Sequence, residues 1–134
     1  MDLTQNDRKS GRLRRPLYEA NPAACFALDA NATVLSVSRY AGEKLGYTAE
    51  ELLGRSFLTV SHPEDQSEVS KLVQSCLRRP GEMAEAELRK ICRDQKLLWV
   101  SERARAVPGD DGNLVVLVVW EDITERRQAT KAMR

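Results

Sequence analysis

His62 is the only histidine in the chain, so neither a multi-histidine metal site nor a triad built with a second histidine can form. An acid–base pair of His62 with Asp65 or Glu102, as a small α+β isomerase or hydrolase would use, is arithmetically possible. The run His62-Pro63-Glu64-Asp65 reads more naturally as the start of a helix, with proline in the first turn and acids favoured by the helix dipole. No catalytic residue and no metal ligand is assigned. Cys25, Cys76 and Cys92 are odd in number and lack C-x-x-C spacing, so they read as small buried hydrophobes of a reduced, cytoplasmic protein. Gly42 and Gly46 lack the Lys-Ser or Lys-Thr that a phosphate loop needs, so nucleotide hydrolysis finds no support.

The elements that must position any site are legible from pattern. With 134 residues the chain suits one domain rather than two. Twenty-one basic residues against twenty acidic ones leave a formal charge of +1, too little for a global field that would draw the chain to nucleic acid or an anionic membrane. The longest apolar run, Leu114 to Trp120, is far short of the roughly 20 residues of a membrane helix. Residues 1–15 hold Arg8, Lys9, Arg12, Arg14 and Arg15 with only Leu3 and Leu13 as apolar company after Met1, and read as a basic leader, loose or helical.

Cys25 to Leu28 and Val34 to Val37 form two short strands around an Asp29–Thr33 turn. Ser38 caps a helix over Arg39–Leu45 that Gly46 closes, and Thr48 with Glu51 has the spacing of a reciprocal capping box. Ser61 and Glu64 repeat that spacing ahead of one long helix with Val69, Leu72, Val73, Cys76 and Leu77 on a single stripe. Met83–Ile91, Leu97–Val107 and Leu114–Glu121 then form a meander. Centring its first turn on Gln95 sets Glu87 against Arg103 and Glu85 against Arg105. The opposite face gathers Ala84, Ala86, Leu88 and Lys90 with Val100, Glu102, Ala104 and Ala106. The fold class is α+β, with helices on one face of an antiparallel sheet. Leu117, Val119 and Trp99 point away from those helices and need a cover, for which the leader or a second subunit is the candidate.

The chain resembles a PAS domain, the sensory module of bacterial signalling proteins. The likeness rests on Ser38–Leu45 followed by Gly46-Tyr47-Thr48-Ala49-Glu50-Glu51-Leu52-Leu53-Gly54-Arg55, then His62-Pro63-Glu64-Asp65, Trp99-Val100, and Asp122-Ile123-Thr124-Glu125-Arg126. It departs from the family pattern at Ser38, where Asn is common, and at Ala32 and Gln95, where glycine often stands. The resemblance implies a five-stranded antiparallel sheet of order 2-1-5-4-3, a core over 16–122, and a linker helix beginning within 123–134. It also implies that this helix continues into a longer protein carrying a histidine kinase or cyclic-dinucleotide effector.

Further expectations follow from the same likeness. Light-sensing relatives attach flavin to a cysteine in a stretch that here reads Gly54-Arg55-Ser56-Phe57-Leu58, without cysteine, and His62 stands outside the helix body where haem ligands occur. Neither haem nor flavin, nor any other cofactor, is expected. Trp120 aligns with a position that faces the flavin in those relatives, so a small-molecule site is expected at Leu88, Lys90, Val100, Glu102, Ala104 and Trp120. Lys90 and Glu102 either bridge each other, turn to solvent, or orient a zwitterion, with Lys90 on its carboxylate and Glu102 on its amine. Asp122, Thr124 and Arg126 are expected to relay the signal, with Asp122 and Arg126 able to pair along the helix. The domain itself is expected to catalyse nothing and to form a homodimer, without nucleic-acid or membrane contact. A ligand-free structural dimerisation domain is the main alternative.

Overall fold

The computed structural model describes residues 24–132; the expected leader, 1–15, and the start of the expected core lie outside the described residues. Strand β1 (Ala24–Leu28) turns back into β2 (Val34–Val37), followed by helices α1 (Arg39–Leu45) and α2 (Ala49–Leu52). Two short 3-10 turns, Phe57–Val60 and Pro63–Asp65, lead into α3 (Gln66–Arg78). Strands β3 (Ala84–Ile91), β4 (Leu97–Pro108) and β5 (Leu114–Asp122) precede the last helix, α4 (Thr124–Ala132). The five strands form one antiparallel sheet of order β2-β1-β5-β4-β3, the order expected from the resemblance.

Local chemistry explains the element ends. The Ser38 hydroxyl accepts from Ala41 N–H at the start of α1 and also from Cys25 N–H, so one side chain caps a helix and fixes a strand. Gly46 closes α1 at φ 83°, where its N–H donates to Gly42 and Glu43 carbonyls. The Thr48–Glu51 capping box is present in both directions. The second expected box is not: Ser61 Oγ donates to the Phe57 carbonyl, and His62 Nδ1 accepts from Glu64 N–H instead. A 3-10 turn interposed before α3 puts Ser61 too far upstream to cap that helix.

The core lies between the helices and one sheet face. Phe26, Leu28, Val34, Val100, Ala104, Ala106, Val116, Val118 and Trp120 meet Val69, Leu72, Val73 and Cys76 of α3 and Phe57 of the 3-10 turn. Leu77, at the edge of the α3 stripe, is half-buried against them.

The β3–β4 register corrects the expected one. The loop has three residues, Arg93 to Gln95, closed by Cys92 N–H to the Lys96 carbonyl, with Gln95 in the left-handed region at φ 72°. Its centre is therefore Asp94, which sets Glu85 against Arg103 and Glu87 against Ser101. The shift is two residues, so every side chain keeps its expected face. Glu85 and Arg103 pair at 3.5 Å, and Glu87 is released for other partners. Each sheet edge is covered at one end. Gly54–Arg55 bonds along β2 at Val34, while His62 and Asp65 bond to the Arg89 backbone on β3.

Candidate functional site

Leu88, Lys90, Val100, Glu102, Ala104 and Trp120 all lie buried on the helix-facing side of the sheet, on three adjacent strands. The expected cross-strand neighbours shift with the register: Ala86 now faces Glu102, Leu88 faces Val100, and Lys90 faces Leu98. Lys90 and Glu102 stand two rungs apart on this face and reach toward each other over Leu88 and Val100. Lys90 Nζ sits 2.9 Å from Glu102 Oε1, with both side chains fully buried. The two charges bridge each other rather than turning to solvent. The contact is close but badly aligned, so Lys90 Nζ and both Glu102 oxygens have no hydrogen-bond partner, and neither has Trp120 Nε1. A buried pair of this kind neutralises net charge without satisfying its donors and acceptors, and burial of such groups is costly.

Aromatic rings wall this cluster. Trp120 stacks on Phe26 at 6.1 Å, Phe26 meets Phe57 edge-on at 4.9 Å, and Lys90 Nζ lies 4.2 Å from the Phe57 ring centre. Cys76 of α3 faces the same region, and burial, aided by the Glu102 charge, pushes its thiol pKa up. Both carboxylates expected as acid–base partners of His62 have a cation beside them. Glu102 is engaged by Lys90, and Asp65 is held by Arg89, which donates to Asp65 Oδ1 at 2.7 Å and to Oδ2 at 3.0 Å.

The second cluster is the junction of β5 with α4. Asp122 Oδ1 accepts from Thr124 N–H at 2.9 Å, and Asp122 Oδ2 accepts from Lys44 Nζ at 3.1 Å. Burial raises the Asp122 carboxyl pKa, but the bonds from Thr124 and Lys44 outweigh it and hold the carboxyl below the usual range. Thr124 Oγ1 accepts from Trp99 N–H, and Ile123 N–H donates to the Trp99 carbonyl, so the β4 ladder continues one rung into the helix start. Arg126 does not pair with Asp122, whose oxygens are taken; it lies 3.8 Å from Glu87.

Arg127 covers the Trp99 ring at 3.7 Å and also approaches Glu87 at 3.4 Å. Among the described residues, the Trp99 end of the outer sheet face is thus covered by α4. A groove of about 750 Å³ runs between α4 and this face. Lys44, Glu87, Trp99 and Arg127 are the junction residues that sequence reasoning missed as a group. Only the outward parity of Trp99 hinted at them, because Lys44 and Asp122 meet across 78 positions of chain.

Comparison with known proteins bears on the fold that carries these clusters. The family model described as PAS fold matches residues 12–123. The chain belongs to the PAS family. This PAS domain is 22% identical over 120 residues to the sensor histidine kinase TmoS of Ectopseudomonas mendocina, covering 89% of this chain and 12% of the kinase. It is 34% identical over 62 residues to an aryl hydrocarbon receptor nuclear translocator homolog of Drosophila melanogaster, covering 46% of this chain and 10% of that protein. The chain therefore spans about an eighth or less of the curated relatives it matches. The solved PAS domain of an HTR-like protein from Haloarcula marismortui superposes with a TM-score of 0.77 at 25% identity, over 90% of this chain and 96% of that one. PAS domains are in general non-catalytic sensory modules of signal transduction, and no helix among the described residues is long and apolar enough to cross a membrane.

Proposed function

We propose that this PAS domain is a cytoplasmic sensor that binds a small molecule on the inner sheet face and relays its presence through α4 to an attached effector. The effector is a histidine kinase or a cyclic-dinucleotide enzyme, and the domain itself catalyses nothing. One observation carries the reading. Trp120 on the inner face and Asp122 at the helix junction are two residues apart on the same strand. A ligand that moves the Trp120 backbone must therefore disturb the Lys44–Asp122–Thr124 bonds that seat α4. Arg126 and Arg127, held on Glu87 and Trp99, carry that disturbance one turn further along the helix.

The test is Asp122→Ala in the full-length protein. Loss of this junction bond costs about 0.5–2 kcal/mol, which a domain of about 5–15 kcal/mol stability absorbs. The variant is expected to keep its circular dichroism spectrum while effector output stops responding to the signal. Unfolding at room temperature would assign Asp122 a structural role, and an unaltered response would remove it from the relay.

A second reading, assembly, has its own observation. Leu117 and Val119 are 38% and 41% exposed on the outer face, side by side with the chain's own β1 strand. We infer that a second copy of the domain covers them in a homodimer.

A further inference from the structure

The unsatisfied atoms of the inner face define a chemical complement. Glu102 is acceptor-only, Trp120 Nε1 is donor-only, and Lys90 carries N–H donors beyond the one nearest Glu102. All three side chains are fully or almost fully buried, and Lys90 Nζ, both Glu102 oxygens and Trp120 Nε1 stand without a hydrogen-bond partner. Such groups in a folded interior are nearly always satisfied by something. Contacts run from Trp120 to Phe26, Phe26 to Phe57, Phe57 to Lys90 and Lys90 to Glu102, and the strand register sets Glu102 opposite Trp120. The orphaned atoms thus belong to one ring of side chains rather than to scattered defects. Ala104 and Ala106 beside it contribute nothing beyond a methyl group.

We propose that this ring recognises a small neutral molecule through a hydroxyl or primary amide group. The ligand's O–H or N–H donates to the free Glu102 oxygen, its oxygen accepts from Trp120 Nε1–H, and the Lys90–Glu102 pair stays intact. This rests on the sensory reading above and names the ligand class for it. Charge selects against the other classes. Lys90 and Glu102 already cancel, so an anion would strand Glu102 and a cation would strand Lys90 in a buried site. A zwitterion would have to part charges that now sit 2.9 Å apart. A hydrocarbon would leave every orphaned donor and acceptor unmet. The walls of Phe26, Phe57, Leu88 and Val100 are buried core and keep the ligand small.

Indole N–H resonances of the 15N-labelled chain provide the test, because Trp99 and Trp120 are its two tryptophans and Trp99→Phe assigns them. Three classes of probe are titrated: 1,2-propanediol and propionamide, β-alanine, and benzene. The diol and the amide are expected to shift Trp120 saturably and leave Trp99 in place, with β-alanine and benzene weaker by about tenfold or more. The double variant Lys90→Met with Glu102→Leu keeps apolar volume and neutrality, and is expected to stay folded by circular dichroism and to lose about tenfold or more in diol and amide affinity. Saturation by β-alanine or benzene without the diol or amide overturns the ligand class and leaves the sensory reading standing. Undiminished diol binding by the double variant overturns recognition by the pair. A Trp120 resonance silent to all three classes overturns this proposal together with the interior ligand site.

Discussion

Ala32 and Gln95 stand at φ 63° and 72°, conformations that cost an L-residue about 1–2 kcal/mol and glycine little. They are the two positions at which this chain departs from the glycines common in its family. Gln95 is exposed, so nothing opposes the gain from glycine there except its greater freedom in the unfolded chain. Gln95→Gly is expected to raise stability by about 0.5–1 kcal/mol in urea denaturation. Ala32→Gly should gain less, since the Ala32 methyl is buried in the core. Equal or opposite effects would show that the turns are not strained as their backbone angles imply.

Asp65 is the residue-scale key to acid behaviour. The hydrogen-bonded Arg89 guanidinium holds the Asp65 carboxyl below its ordinary range, against the opposing pull of burial. A carboxyl depressed in the folded state contributes stability that is complete above the unfolded value near pH 4 and is lost as pH falls through the folded value. Asp65→Asn is therefore expected to cost about 1–3 kcal/mol at pH 7, with the gap to the parent closing below about pH 4. A gap that is constant with pH would place the cost in packing rather than in the carboxylate.

At the scale of elements, α4 is the weakly held part of the fold. Among residues 124–130 no side chain is buried, and the helix is seated by Ile123 before it and by polar contacts along it. The Arg127–Trp99 contact and the loose pairs to Glu87 lie at the surface, where a cation–π contact contributes about 0.5–1 kcal/mol and an ion pair about as little. Arg127→Ala should speed hydrogen exchange of the α4 amides about two- to fivefold and leave β4 and β5 unchanged. Unchanged exchange in α4 would mean that Ile123 and the Asp122–Thr124 junction hold the helix alone. Helix α3 behaves oppositely, because its stripe of Val69, Leu72, Val73 and Cys76 commits it to the core whatever its surface pairs do.

For the whole molecule the exposed apolar surface of note is the outer face. Leu117 and Val119 lie between Arg103 and Arg105 on β4 and the β1 strand, an apolar strip bordered by charge. Leu117→Glu is expected to weaken self-association of the full chain about tenfold or more by light scattering, with little change in melting temperature. A full chain that stays monomeric at high concentration would end the dimer reading.

Periodicity and capping determined much of this molecule before any coordinate. The α3 stripe, the Ser38 and Thr48 caps, the meander and the inner-face parity of Leu88, Lys90 and Glu102 are local or two-residue regularities, and such regularities survive in a one-dimensional string, whereas Trp120 is placed by the family resemblance. The β3–β4 pairing failed by one turn residue because a left-handed conformation at a non-glycine residue carries no sequence mark. What only tertiary structure decided is who meets whom across the chain. Lys44 was a helix-end lysine until folding brought it to Asp122, and Arg127 was a solvent arginine until it covered Trp99. The sequence offers Lys90 and Glu102 as a pair, but their 2.9 Å contact and their unmet hydrogen bonds depend on how far two long side chains reach across a packed face. Distance and alignment in three dimensions set those energies, and spacing along the chain does not encode them.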